Sequence, residues 1–293
     1  MIKFIIAARR KREDTQERYF YEWGIVHVAL MVTSPAVMRL FKRYVQHYSI
    51  GGIGDDMLRH PLSDMEWDNM ADHWVETHDD FMATHRVEDY VRRMQPHKFG
   101  DSNFVLALAT GRVVFERPGF MNGGVKLIHF LRRKPDVPNE RFNELWQGAH
   151  AELVAELNER EPIIRKYVQN RTMQIQGDSF KGSLFEKGET EGFAGIEEFW
   201  FDSLDQLARL RRDPRWKRML DDSEAGFVDA SGSFSMVTTE RLIYDYTLGA
   251  ASSPTAAVLN PHSLEAAIYA QGLGGWNVPA ASRASLDARQ APV

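Results

Sequence analysis

The chain has no cysteine in 293 residues, which removes disulfides, thiolate nucleophiles and every cysteine-based metal site together. It also lacks any apolar run near the roughly 18–20 residues that a membrane-crossing helix requires. Long basic runs are missing as well. Lys and Arg number 36 against 41 Asp and Glu, a net charge of −5, so nucleic acid is a poor partner. The opening residues are strand-like and their pattern returns inside the chain at 125, so they read as structure and not as a signal peptide. These absences lead us to expect a soluble, cytoplasmic protein with neither nucleic acid nor membrane as a partner. The length suffices for two modest domains with a real core.

What is present is one stretch written twice. Residues 2–46 lie on residues 125–169 without a gap at an offset of 123, with 13 of 45 pairs identical. Average composition would give roughly two or three. Each copy opens with an apolar run ending in Arg-Arg-Lys (Arg9-Arg10-Lys11 and Arg132-Arg133-Lys134). Each continues with an aromatic, a Trp and a His spaced by four: Tyr19, Trp23, His27 and Phe142, Trp146, His150. Each closes on Tyr44-Val45-Gln46 or Tyr167-Val168-Gln169, seventeen residues after the His. A duplicated domain follows.

The apolar run 2–9 suits a buried strand, and the three-and-four spacing from Thr15 to Leu30 suits an amphipathic helix. A strand is expected over 41–48, a long irregular connection over 49–70, and a third strand at His73-Trp74-Val75. A helix through Phe81 to Met94 and a strand or hairpin over 103–116 complete a β-α-β-β-α-β order. Residues 117–124, with Pro118 and two glycines, read as a linker. The order then repeats: strand 125–132, helix 139–158, strand 163–172, a Gly-rich connection at 177–194, and Phe199-Trp200-Phe201 in the place of His73-Trp74-Val75. A helix interrupted at Asp213-Pro214 and strands at 234–239 and 242–244 end it. The tail beyond Gly249 is rich in Ala, Ser and Pro, has no first-half counterpart, and reads as an arm with one short helix at 264–273. The expected domains are therefore 1–116, a linker 117–124, a second repeat 125–248, and a C-terminal arm 249–293. Units of this order form four-stranded antiparallel sheets with both helices on one face, and two such sheets can cover each other's bare faces. The expected fold is α+β: two tandem ferredoxin-like repeats packed sheet to sheet as an α/β barrel, with a C-terminal extension.

The doubled aromatic–Trp–His set with its distant Tyr resembles the EthD family of the dimeric α/β-barrel superfamily, over about residues 2–116 and 125–245. Relatives carry one such domain per chain and dimerise, so the resemblance implies a fused tandem and leaves a homodimer open. The superfamily includes cofactor-independent lyases, isomerases, polyketide cyclases and monooxygenases. It implies a cavity and a chemical style but no substrate.

His27 and His150 extend the stripes made by their aromatic partners, and an imidazole is the ordinary tool for moving a proton near pH 7. The plainer reading makes them inert helix-end packing. Tyr44 and Tyr167 share strand faces with Gln46 and Gln169, so a phenol and an amide could hold a developing oxyanion, or merely satisfy each other. Trp23, Trp146, Trp74 and Trp200 are core residues or walls for an aromatic substrate. The copies also differ: His47 stands against Asn170, His129 against Ile6, and His73 against Phe199. A histidine inside an apolar strand is a cavity group or a satisfied core polar. The first half, carrying His27, Tyr44, His47, Tyr48 and His73, is the favoured catalytic half. His78, His85 and His97 read as helix-surface or loop residues. No metal is expected: alternation puts His73 and Glu76 on opposite faces, and the HExxH helix is missing. No nucleotide fingerprint is present either. The expected function is a cofactor-independent lyase, dehydratase or isomerase using His acid–base chemistry on a hydrophobic aromatic or phenolic molecule. Cofactor-free oxygenation and non-catalytic binding of aromatic ligands are the alternatives.

Overall fold

The computed structural model describes residues 1–54, 57, 58, 60, 67–94, 96, 97, 99–121, 123–175, 179–188 and 192–247. The Ala/Ser/Pro-rich tail with its expected helix lies outside the described residues, as do parts of the connections over 49–70 and 177–194. Strands β1 (Ile2–Ala8), β2 (Arg43–Ser49), β3 (Asn69–Val75), β4 (Val105–Glu116), β5 (Val125–Arg133), β6 (Lys166–Met173), β7 (Phe193–Phe201) and β8 (Val228–Asp245) close a barrel in the order β1-β3-β2-β8-β5-β7-β6-β4. Within it the first four strands run β4-β1-β3-β2 and the last four β8-β5-β7-β6, the same internal order twice. Register follows the same correspondence: Ile5 faces Asp72, and Ile128, its partner in the repeat, faces Glu198. The chain divides into two compact units, Met1–Ile243 and Tyr244–Val293. In the second unit, the Asp245 carboxylate accepts from the backbone N–H and hydroxyl of Thr247.

The halves meet edge to edge rather than as two opposed sheets, because β4 and β8 are long. β4 lies on β1 through Val105–Ala109 and on β6 through Leu108–Glu116. β8 lies on β5 through Val228–Thr238, and Val237 also accepts the backbone N–H of Ile50, one residue past β2. Expected and observed elements differ in several places: the strands expected at 234–239 and 242–244 are parts of the single strand β8, and an unexpected helix, Pro35–Leu40, precedes β2. The helix expected through Phe81 to Met94 is two, α4 (His78–Arg86) and α5 (Glu88–Met94). Thr77 starts α4 with a reciprocal capping box to Asp80. The expected strand or hairpin before 117 is the single strand β4, and residues 117–124 join it to β5. The second half carries α8 (Leu204–Arg212) and α9 (Pro214–Glu224), divided where Asp213 caps and Pro214 takes the first position.

The repeated helix is interrupted at the same place in both copies. α1 (Gln16–Tyr21) passes through a π-helical turn, Glu22–His27, into α2 (Val28–Val32), and α3 (Pro35–Leu40) follows. In the second half α6 (Asn139–Leu145) passes through Trp146–His150 into α7 (Ala151–Arg160). A π turn widens the backbone ladder and loosens a carbonyl from it. The Gln46 amide donates to the Trp23 carbonyl at 3.2 Å and the Tyr44 hydroxyl at 2.7 Å. Gln169 does the same with Trp146 and Tyr167, at 2.8 Å each. The Tyr-Val-Gln motif is thus the clamp on the π turn.

Alternation sorts the strands into an inward and a helix-facing set. Inward at one level lie Ile5, Met70, Ile128, Phe130, Ile196 and Phe234, a buried apolar layer. The helix-facing side packs Leu127, Tyr167, Phe199 and Phe201 against Val154, Leu157, Leu207 and Leu210. The two tryptophans are seated differently. With the Asn69 amide oriented so that its oxygen accepts from Trp23 Nε1 (3.1 Å), its nitrogen donates to the Tyr19 hydroxyl and the Ala8 carbonyl. At the equivalent position of β7 stands Gly195, and a Cβ there would sit 2.6 Å from the Trp146 ring. Gly195→Ala is therefore expected to cost about 1–3 kcal/mol through overpacking. Urea unfolding measures it, and an unchanged midpoint would mean that the Trp146 seat is slack.

Candidate functional site

Two buried polar centres emerge from the strands, one on each side of the β-sheet wall. The first lies inside the barrel, at the level of Lys3 and Lys126, which occupy the same position in the two copies. Lys3 Nζ reaches Glu198 at 2.5 Å and Asp72 at 3.3 Å. Lys126 pairs with Glu198 and lies 3.4 Å from Glu240. His47 Nε2 is 3.3 Å from Asp72, and its Nδ1 is 3.5 Å from Lys126 Nζ. Asn170, opposite His47 in the repeat, donates to Glu198 at 2.7 Å. Trp74 and Trp200 wall the centre: Lys3 stands 4.9 Å and Lys126 4.0 Å from their ring centres. Burial by itself would raise Glu198, but Lys126 and Lys3 outweigh it and hold its carboxyl well below the usual range. Burial lowers Lys3, and Asp72 with Glu198 more than restores it. Two lysines interleaved with three carboxylates make this a buried ion network.

The second centre lies between β5–β7 and the helices of the second half. His150, at the end of the π turn, brings Nε2 to 3.2 Å from Glu197 Oε1 and 3.8 Å from Glu224 Oε1. His129 Nδ1 stands 3.4 Å from Glu197 Oε2. His60, from the connection after β2, stands 3.6 Å from Glu224 Oε2, and its ring meets that of His129 edge-on at 5.3 Å. Glu197 Oε1 further accepts from Trp146 Nε1 (2.6 Å) and the Tyr167 hydroxyl (2.5 Å). All five titratable residues are buried, none more than 5% exposed. Burial would raise Glu197, but His150 and His129 overcome it and hold the carboxyl well below its ordinary value. The Tyr167 phenol is pushed well up by burial and by Glu197, and stays protonated as a donor.

Among the described residues, the first half has no equivalent of this centre. Ile6 replaces His129, and strand register puts Ala71 in the place of Glu197. His27 instead stacks on His97 (6.0 Å) and packs on Phe99 (5.3 Å), while His97 faces Glu22 at 3.0 Å. Tyr44 stacks on His73 at 4.4 Å, its hydroxyl accepts from Gln46, and Tyr48 donates to the Gln46 oxygen. Of the residues singled out from sequence, then, His150, His129, Tyr167, Trp146 and Gln169 converge at the second centre. His47, Trp74 and Trp200 belong to the inner ion network. His27, His73, Tyr44, Gln46 and Trp23 form an aromatic layer under the first-half helices. His78 is exposed as expected, but His85 is buried among Phe4, Phe81, Tyr90 and Phe185, because α4 turns that face to the core. The grouping weighed in sequence for metal, with His73 and Glu76, is not one that the fold assembles. Among the described residues, the mixed clusters close enough to share an ion are His47–Asp72–Glu198 and His150–Glu197–Glu224.

Lys3, Lys126, Asp72, Glu198, Glu197, Glu224 and His60 escaped the sequence reading. A signal existed for some: Lys3 and Lys126 are an identical pair within apolar runs, and Glu197-Glu198 are charges inside a strand. Nothing local marked Glu224 or His60, which reach the centre only through the fold.

Residues 134–231 match the EthD domain family. No curated protein sequence matches the chain. Among solved structures, an anthrone oxidase-like protein superposes with a TM-score of 0.53 at 11% identity, over 82% of this chain and 92% of the other. A protein described as a candidate monooxygenase from Lactobacillus acidophilus gives 0.41 at 11% identity, over 82% and 93%. A point mutant of chlorite dismutase from Candidatus Nitrospira defluvii gives 0.42 at 10% identity, over 82% and 91%. The first of these shows a shared fold. No described helix is long and apolar enough to cross a membrane.

The first-half histidines make a prediction about acid stability. Burial lowers His73 from 6.5 to about 4 and His85 to about 3, and burial with His97 and His73 nearby lowers His27 to about 3. Each folded-state value lies below the unfolded one, so the unfolded chain binds protons that the native chain refuses. Stability is full above about pH 6.5 and drains away as the pH falls toward 4. His73 and His85 should each cost about 2 kcal/mol by about pH 5, and the half-buried His27 less. Asp72, Glu197 and Glu198 titrate below this window, so it reports the histidines. Urea midpoints from pH 7.5 to 5 check it: His85→Phe should flatten the slope, and an unaltered slope would refute the assignment.

Proposed function

From the EthD match over residues 134–231 and the buried centre to which His150, Tyr167, Glu197 and Glu224 of that stretch contribute, we propose that the chain is an enzyme moving a proton on a small hydrophobic, aromatic or phenolic, molecule. In this reading the molecule is two ferredoxin-like repeats fused in tandem, 1–116 and 125–248, joined by 117–124 and followed by a C-terminal arm. The second repeat does the chemistry and the first serves as its structural counterpart. The observation that carries the reading is Glu197, a buried carboxylate beside two imidazoles, held by Trp146 and Tyr167.

In this centre His150 or His129 takes the proton from carbon or phenol. Glu197, kept ionised, stabilises the resulting imidazolium, and the Tyr167 proton fixes that carboxylate in place. The reaction class is lyase, dehydratase or isomerase. Next to the His60 segment a cavity of about 30 Å³ is lined by Ser49, Leu58, Trp67 and Ser235 among others. At that volume it has room for a water or two, and a ring-sized substrate would need more space than it offers.

The experiment is hydrogen–deuterium exchange into a panel of phenols, lactones and anthrone, followed by mass spectrometry with oxygen uptake recorded. Anthrone is included because the structural neighbour carries that name. His150→Phe should lower the exchange rate on the order of 10²–10⁴-fold. His27→Phe should lower the melting temperature and leave the rate alone. Equal partial losses from the two would mean two independent sites and would overturn the assignment to the second half. Oxygen consumed in step with turnover would move the reaction to cofactor-free oxygenation.

A further inference from the structure

We propose that Arg112, a residue of the first half, is a positioning residue for the second-half centre: it replaces a backbone hydrogen bond that the π turn surrenders, and so sets where His150 stands. The inference rests on the reading of that centre as the functional site, and gives it a support from the opposite half.

In a regular α-helix each backbone N–H reaches the carbonyl four residues back. At the end of the second π turn the Ala151 N–H reaches Gly148 instead, three back, and Gly148 itself leaves helical geometry (φ −95°, ψ −107°). The carbonyl that Ala151 gives up is that of Gln147. Arg112 Nη1 donates to it at 2.7 Å. The preceding carbonyl, that of Trp146, accepts from the Gln169 amide. Arg112 and Gln169 face each other in the β4–β6 pairing, so two adjacent strands hold two consecutive carbonyls.

The first half repeats the arrangement with the donors exchanged. The Val28 N–H reaches Ile25, three back, and so gives up the Gly24 carbonyl. Arg241, from β8 of the second half, donates to that carbonyl at 3.2 Å and to the Tyr48 hydroxyl at 3.4 Å. Gln46 holds the preceding carbonyl, that of Trp23. Each π turn therefore takes its glutamine from its own half and its arginine from the other. Among the described residues neither arginine has a carboxylate partner, so an ion pair explains neither one.

The consequence falls on His150, which closes the turn just beyond the freed carbonyl and directly before α7. Its ring meets Glu197 of β7 at 3.2 Å through Nε2 and Ser223 of α9 at 2.9 Å through Nδ1. A ring aligned to two elements at once tolerates little drift in the backbone that carries it. The bond from a guanidinium to a carbonyl is charge-assisted, and stronger than the amide bond it replaces. In the first half the same brace carries only packing: His27, on the turn that Arg241 holds, lies against His97 and Phe99.

The test is NMR of the full chain with isotope-labelled histidine, beside native-state amide exchange. In Arg112→Met the amides of residues 148–151 should exchange about 10-fold faster, and the His150 imidazole signals should move. Arg112→Lys, which keeps a cationic donor, should bring both part of the way back. Arg241→Met is the mirror: it should loosen residues 25–28 and leave the His150 signals in place. Arg112 is exposed, so its variants keep the fold. Exchange and His150 signals unaltered in Arg112→Met would overturn the proposal, as would equal changes from the two methionine variants. A rise in exchange spread evenly over all strands would mark a general stabiliser and overturn it too. None of these readouts needs a substrate, so the positioning of His150 and the proton-transfer reading of the centre can fail separately.

Discussion

Closure of the barrel depends on Glu198. Among the described residues it is the one carboxylate that takes a lysine from each copy, Lys3 from the first and Lys126 from the second. Lys3 on β1 and Lys126 on β5 occupy matching positions, and closing the ring brings both ammonium groups to the same interior level. Two such cations in a dry interior repel strongly, and without anions between them the closed ring could not form. Asp72 and Glu240 add further negative charge beside the two ammonium groups, and the Asn170 amide donates to Glu198. The apolar layer below fills the rest of the interior, so the barrel is a packed core with a charged storey and not an open pore.

With the interior occupied by the ion network and the apolar layer, the space between the sheet and the helices holds the second polar centre. There the two copies have diverged where they were free to. The Trp–Tyr–Gln clamp is kept in both, because each π turn needs it. Ile6 against His129 and Ala71 against Glu197 differ, because only one half surrounds a polar centre. Burial keeps His27, His73 and His85 neutral in the first half, while His129 and His150 of the second stand beside Glu197.

How much of this could be read from the chain follows from which forces are local. The doubled motif, the β-α-β-β-α-β order and the break at Asp213-Pro214 are encoded in spacing and in cap and turn chemistry. They appear in the structure within a few residues. Edge-to-edge closure was harder to see: it depends on the lengths of β4 and β8, and strand ends are poorly marked by composition. At the site, His129 and His150 stood out as unusual residues in regular patterns. Glu224 did not, since a glutamate at a helix end is ordinary until the helix is placed over β7. The Tyr and Gln of the motif looked like oxyanion donors; in the structure the Gln amides donate to helix carbonyls and to the tyrosine hydroxyls, and Tyr167 donates to Glu197.

The reach of β8 bears on how the molecule folds. Its first part pairs with β5, about one hundred residues earlier, and Val237 accepts from Ile50 at a separation of nearly two hundred. Pairings so remote in sequence require closing very large loops before they return any free energy. Each four-stranded half can gather its own strands early and β4 can meet β6 once that strand is made, but the seam between β2 and β8 forms only when the last described strand is complete. A chain emerging in order would hold β2 with one unsatisfied edge until almost the whole of the second half had been made. During synthesis that edge is open to strands of other molecules. The hazard peaks late in translation, and the last-made strand removes it.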